Sequence, residues 1–310
     1  MIEKLSYSSA NAYPAKLLCH LHRFRETFFP MHLQLFLTNK CQLHCPYCSC
    51  SKRDKELSIS FNLLEEYIKE LRQLGLKAVT VTGGGEPLLY DRFEDVIDLL
   101  RYYGLKIGLV TNGIAIKQYP KILFQAMDWI RVSYDKYRGG IPDLHDGIRY
   151  AFSYVYHEGS FSDPGLHALI ASAKINKITH LRIVSDILKE DSEKQYLGQV
   201  FYDMPDNVIL QDRKEYTKGT KHCWVCMVKP VLDVDGVFYP CCGAQYAVKN
   251  NTRRMPLSLN MGDLDRFKEN YLIPQVPFDG TVCYKCYYDK YNDTLETIKY
   301  MHNIKHQDFI

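Results

Sequence analysis

Three cysteines stand in the segment Cys41-Gln-Leu-His-Cys45-Pro-Tyr-Cys48, a C-x3-C-x2-C triplet on one short stretch of chain. Three thiolates so spaced can hold three corners of a cubic [4Fe–4S] cluster and leave the fourth iron without a protein ligand. An iron open in this way can bind a further molecule. The alternative is a structural zinc site, which takes four ligands and is commonly built from paired C-x2-C units. His44 or Cys50 would then complete the set. The spacing favours iron and sulfur and leaves zinc open.

A second motif follows about 35 residues later, Thr82-Gly83-Gly84-Gly85-Glu86-Pro87. Glycines let a backbone come close to a ligand or to another segment. The run is not G-x-G-x-x-G and carries no Lys-Ser/Thr pair, so neither a dinucleotide fingerprint nor a phosphate loop is indicated. Polar residues also mark the ends of later apolar runs: Thr111, Asn112, Ser133, His157, Glu158, Arg182 and Asp186. Of these, His157, Glu158 and Arg182 are candidates for facing a substrate; surface ion pairs are the competing role.

The remaining cysteines gather near the C-terminus as Cys223-Trp-Val-Cys226, Cys241-Cys242 and Cys283-Tyr-Lys-Cys286, with Cys19 apart. Thiolate pairs bracketing a hairpin, joined by a distant C-x2-C, signal a metal site, and both zinc and [4Fe–4S] fit the count. Eleven cysteines is an odd total, which suits ligation better than a closed set of disulfides.

These residues need a scaffold. Apolar runs at 31–37, 77–82, 106–111, 129–134, 150–157 and 180–185 read as strands. Helical periodicity fills 61–74, 92–103, 117–126 and 165–177. Strands alternating with helices predict a parallel sheet with right-handed crossovers. Six such units are too few for an eight-fold barrel of about 250 residues. The expected fold is α/β, a partial (β/α)6 TIM-like barrel. Both motifs then fall at strand C-terminal ends, where barrels form their sites. A helical lead-in is expected over 8–29, a hairpin over 231–239 with its turn at Asp235-Gly236, and a last helix over 293–310. The division is 1–30 lead-in, 31–214 barrel and 215–310 a small Cys-rich domain.

The chain of 310 residues is 46% hydrophobic and 24% charged, enough for a large core. A net charge of +3 argues against a nucleic-acid partner. No apolar run reaches about 18 residues, so no membrane span is expected, and a cytoplasmic protein is the simplest expectation.

The segment LTNKCQLHCPYC at 37–48 resembles the signature loop of the radical S-adenosylmethionine (SAM) superfamily, and Gly84-Gly85-Glu86 resembles its Gly-Gly-Glu motif. The resemblance implies that Cys41, Cys45 and Cys48 ligate a [4Fe–4S] cluster whose open iron chelates SAM. It implies that Tyr47 lies on the adenine side and that Gly84, Gly85 and Glu86 meet the methionyl amino group. Asn112 and Ser133 fall where the family often contacts the SAM ribose and carboxylate.

Cys223, Gly236, Cys241, Cys283 and Cys286 are similar to the pattern of the twitch domain, the short relative of the SPASM domain. Seventeen residues separate Cys223 from Cys241. That resemblance implies a second, fully ligated [4Fe–4S] cluster on Cys223, Cys241, Cys283 and Cys286, with Cys226 and Cys242 as alternative ligands. Together the resemblances imply reductive cleavage of SAM to a 5′-deoxyadenosyl radical that takes hydrogen from a small polar substrate, with net oxidation or rearrangement. A peptide-modifying maturase is the alternative, and a non-catalytic zinc-binding module a third. A flavodoxin or ferredoxin is the implied electron donor.

Overall fold

A computed structural model describes residues 30–134, 136–137, 140–157, 159–189, 197–212, 217–247, 253–272 and 278–300. The expected lead-in helix, Cys19, Glu158 and the tail beyond residue 300 lie outside them. Seven strands run parallel: β1 (His32–Phe36), β2 (Ala78–Thr82), β3 (Lys106–Thr111), β4 (Trp129–Tyr134), β5 (Ala151–Tyr156), β6 (Leu181–Ser185) and β7 (Val208–Gln211). They lie in sequence order across one sheet, and a hairpin of β8 (Val231–Leu232) and β9 (Phe238–Tyr239) continues it beyond β1. The six expected strands are β1–β6. β7 is a seventh, formed by only four residues.

Between the strands lie α1 (Phe61–Gln73), α2 (Phe93–Tyr102), the short α3 (Lys121–Gln125), α4 (Pro164–Lys174) and α5 (Leu197–Val200). α6 (Leu264–Leu272) and α7 (Asp289–Tyr300) follow the hairpin. The core lies between sheet and helices. Leu33, Leu35, Val79, Val81, Ile107, Leu109, Ile130 and Val132 alternate along their strands and join Leu64, Ile68 and Leu71 of α1 in one buried cluster.

The other sheet face is mixed. Thr80, Gly108 and Trp129 stand in register, as do Val110 and Arg131, and then Ser133, Ser153 and Arg182. His32 Nε2 pairs with Thr80 Oγ1 at 2.7 Å and Arg182 donates to Ser153 Oγ at 3.1 Å. A Cβ on Gly108 would stand 2.1 Å from the Trp129 ring, so the missing side chain makes room for that indole.

The hairpin does not stand apart from the barrel. β8 pairs in parallel with β1 through Gln34↔Val231 and Leu35↔Leu232. Its turn carries Gly236 at φ 76°, the left-handed region where glycine is favoured, as the Asp-Gly pair leads one to expect. Phe238 stacks on Phe267 of α6 with centroids 3.9 Å apart, and Tyr67 of α1 stacks on Phe238 at 5.8 Å.

Candidate active site

β1 delivers the chain to the cysteine loop, and the glycine turn after β2 fixes its start. Gly85 N–H donates to Thr38 O at 2.8 Å and Glu86 N–H to Lys40 O at 2.7 Å. The fit leaves no room for side chains. A Cβ at Gly85 would sit 2.1 Å from Lys40 O, and one at Gly84 would sit 1.9 Å from Asn39 Oδ1. Gly83 meets only Phe36, at an ordinary 3.9 Å. Two of the three glycines are therefore required by the cysteine loop itself.

Glu86 is nearly fully buried, and its carboxylate faces β3. It accepts from Thr111 Oγ1 at 2.5 Å, Asn112 N at 2.6 Å and Leu88 N at 3.2 Å. A carboxylate with three donors ties the end of β2 to the end of β3. Asn112 in turn accepts from Ile114 N at 2.9 Å and from Gln42 of the cysteine loop at 3.4 Å. Sequence reasoning gave Glu86 and Asn112 to the ligand; these bonds add a role in building the wall.

Cys41, Cys45 and Cys48 are all half-buried and line one cavity of about 520 Å³. Tyr47, Gly84, Gly85, Glu86, Asn112 and Ser133 line it too, so every expected SAM-side residue faces the same space. Burial, opposed by a backbone hydrogen bond from Leu43 and aided by the charges of Glu86 and Cys48, raises the Cys41 thiol. A hydrogen bond from Cys50 pulls Cys48 down to about 6, against the effect of its burial. Three thiols on a loop that opens onto a cavity fit a cluster with one uncommitted corner.

On the far wall, β5 and β6 end in His157 and Asp186, both buried, with Nδ1 and Oδ2 3.6 Å apart. The His157 ring lies 4.8 Å from that of Tyr47 and 5.5 Å from that of Tyr137. His157 thus adjoins the cysteine loop. Arg182 lies one layer deeper, on Ser153.

The cysteine loop is also clamped from the C-terminal half, which sequence reasoning missed. Arg53 and Asp233, both almost fully buried, form an ion pair. Burial raises the Asp233 carboxyl, while the Arg53 guanidinium acts the other way. Cys50 Sγ bonds to Gln245, and Asp54 N–H donates to Arg253 O at 2.9 Å. Asn39, wholly buried, donates to Asp54 O at 3.0 Å. Its place two residues before Cys41 was the only sequence signal.

The second cysteine group forms where two backbone segments touch. Thr217 bridges Cys286, Gly219 N–H reaches Cys283 O at 3.0 Å, and Cys223 N–H reaches Phe278 O at 2.9 Å. A Cβ on Gly219 would lie 2.1 Å from Gly280 O. Burial first, then the neighbouring thiols, pushes Cys283 and Cys286 each up to about 12. Cys241 is raised for the same reasons, by burial and by Cys242, Cys223, Cys286 and Cys283. Cys242 instead meets the Tyr288 hydroxyl at 3.2 Å, and Cys226 is fully buried behind Cys223.

Among the described residues no three His, Cys, Asp or Glu side chains converge closely enough for a single metal ion. A Zn–S bond of about 2.3 Å requires ligand sulfurs within ~4 Å of one another. The wider spread of these thiols suits a cube of four irons better than one zinc.

Residues 35–147 match the family described as the Radical SAM superfamily. The GTP 3′,8-cyclase of Aquifex aeolicus is 35% identical over 101 residues, 30% of this chain and 31% of that protein. The enzyme of the same name from a Synechococcus strain is 38% identical over 109 residues, 33% of this chain and 31% of that protein. The match thus spans about a third of these curated relatives.

Among solved structures, Streptococcus suis SuiB bound to S-adenosylmethionine covers 87% of this chain and 73% of its own, at TM-score 0.56 and 15% identity. The anSMEcpe protein with bound AdoMet and a Kp18Cys peptide covers 88% and 98%, at TM-score 0.52 and 13% identity. At such identities these likenesses concern the fold, and the fold is the one the sequence leads one to expect. With its cysteine triplet and glycine turn inside the matched domain, the chain belongs to the radical SAM superfamily.

Proposed function

We propose that this enzyme oxidises a small polar substrate by hydrogen-atom abstraction, with a second [4Fe–4S] cluster in its C-terminal half. The observation that carries the reading is the convergence of Cys41, Cys45, Cys48, Tyr47, Asn112 and Ser133 on one cavity. When bound, the reduced cluster and SAM supply a carbon radical able to break a substrate C–H bond. Cys41, Cys45 and Cys48 would hold that cluster.

Asn112 and Ser133 offer polar groups at the strand ends for the SAM ribose and carboxylate. Gly84 and Gly85 hold the loop in register. Tyr47 covers the adenine side, and its contact with His157 shields the space from water. His157, oriented by Asp186, stands where it can take a proton from the substrate. The barrel would comprise 31–214 and the auxiliary domain 215–310. Cys223, Cys241, Cys283 and Cys286 would bind the second cluster, which gives the substrate's second electron a destination and favours net oxidation. A flavodoxin or ferredoxin would supply the first electron.

A peptide substrate is the second reading. It is supported by the fold likeness to SuiB bound to precursor peptide SuiA, at TM-score 0.52, and to peptide-bound anSMEcpe. The sequence likeness to GTP 3′,8-cyclase adds a nucleotide to the substrates to try first.

The test is anaerobic iron and sulfide counting with 5′-deoxyadenosine assay, beside a variant with Cys41, Cys45 and Cys48 all changed to Ala. Expected are about eight irons in the wild type and about four in the variant. Reduced wild type with SAM forms 5′-deoxyadenosine and the variant does not. Filled clusters without that product under any of GTP, sugar or peptide would reject the reading. Four irons in the wild type and none in the variant would remove the second cluster.

A further inference from the structure

Cys50 stands two residues beyond the triplet and belongs to none of the motifs above. Its side chain is buried, borders the same cavity, and hydrogen-bonds to both Gln245 and Cys48. The Ser49 side chain also reaches it. Its carbonyl is held by Arg53 N–H at 3.1 Å and Lys55 Nζ at 3.3 Å, so the thiol is fixed in place. A space-filling thiol would account for the burial. It would not account for polar partners on both sides, one of them a cluster ligand and the other from a segment 195 residues away.

One S–H cannot serve Gln245 and Cys48 at once. With Cys48 ionised on iron, the negative sulfur is the stronger acceptor and takes the proton's side. The Gln245 amide carries donors as well as an acceptor, and by turning over it presents N–H to Cys50 Sγ. Both links then donate toward the cluster.

We propose that Cys50 tunes the barrel cluster: its S–H donates to the Cys48 thiolate, and Gln245 from the C-terminal half holds it on that acceptor. The inference rests on Cys41, Cys45 and Cys48 being the ligands. A hydrogen bond to a ligand sulfur favours the reduced state, which carries the extra negative charge, and so raises the potential. Cys50 is a positioning residue acting through Cys48.

The experiment is a reductive titration of anaerobically reconstituted full-length protein, followed by electron paramagnetic resonance. The signal that changes on adding SAM isolates the barrel cluster. In Cys50→Ala the reduced-to-oxidised ratio at the wild-type midpoint falls about tenfold, 59 mV for a one-electron couple, with iron per chain unchanged. Cys50→Ser keeps an O–H donor and stays within about twofold of wild type. Gln245→Leu moves in the same direction as Cys50→Ala and by less.

An unchanged midpoint in Cys50→Ala overturns the proposal, as does loss of iron from both Cys50 variants. Should Cys50→Ala alone fail to hold iron, an unchanged midpoint in Gln245→Leu overturns it. A wild type with no SAM-responsive signal fails earlier, at the ligand assignment itself.

Discussion

Gly85 and Gly83 sit two residues apart in one turn and answer to different demands. A methyl at Gly85 would meet Lys40 O at 2.1 Å and Asn39 C at 2.4 Å, and backbone cannot rotate away as a side chain can. Gly85→Ala is expected to cost about 1–3 kcal/mol and to lower the iron held by the barrel, since the same turn hydrogen-bonds the start of the cysteine loop. Gly83→Ala, with 3.9 Å to Phe36, should change stability by less than about 0.5 kcal/mol. Denaturant melts and iron counts on the pair check this; equal effects would show that the turn tolerates bulk. The triplet and the glycine turn were legible because their chemistry is local and written in consecutive residues. Which glycine the fold needs was not, because its neighbour comes from another loop.

Among the elements, the hairpin of β8 and β9 does more than extend the sheet. It carries Asp233 to Arg53, two groups 180 residues apart and each almost wholly buried. Removing one partner of a buried pair strands the other charge, which costs about 3–5 kcal/mol. Asp233→Asn is expected to lose that much by chemical denaturation, and the double change Arg53→Met with Asp233→Leu to recover most of it. A single variant as stable as wild type would show that the pair does not govern the loop.

Six strands could be read from apolar runs, since buried parallel strands need little else. β7 escaped because four residues, Val208–Gln211, make too short a pattern beside a polar stretch. The hairpin turn was legible from Asp235-Gly236, and its partner β1 was not, because pairing is a long-range fact. His157 and Asp186 were visible as strand-end residues; their 3.6 Å approach depends on the register of β5 and β6.

For the whole molecule, the two cysteine-bearing halves share one sheet and one core. Trp224, Phe238 and Phe267 belong to the same buried cluster as the strands β1–β6. Unfolding should therefore be a single transition. The chain has two tryptophans, one in each half, Trp129 and Trp224. Variants keeping only one of them, Trp129→Phe or Trp224→Phe, should report the same denaturant midpoint relative to far-ultraviolet circular dichroism of the same protein. Separate midpoints would mean that the C-terminal half melts by itself. Among the described residues no helix is long and apolar enough to cross a membrane, so the reading applies to a water-exposed fold.

The Arg53–Asp233 clamp also sets an order in time. The cysteine loop leaves the ribosome 180 residues before the carboxylate that locks it. At about 5–20 residues per second that gap is on the order of 10–40 seconds, during which the loop's thiols lack their final support. The iron of the barrel is thus acquired by a finished polypeptide, and delivery of iron and sulfide during translation would meet a binding loop that has not yet taken its shape.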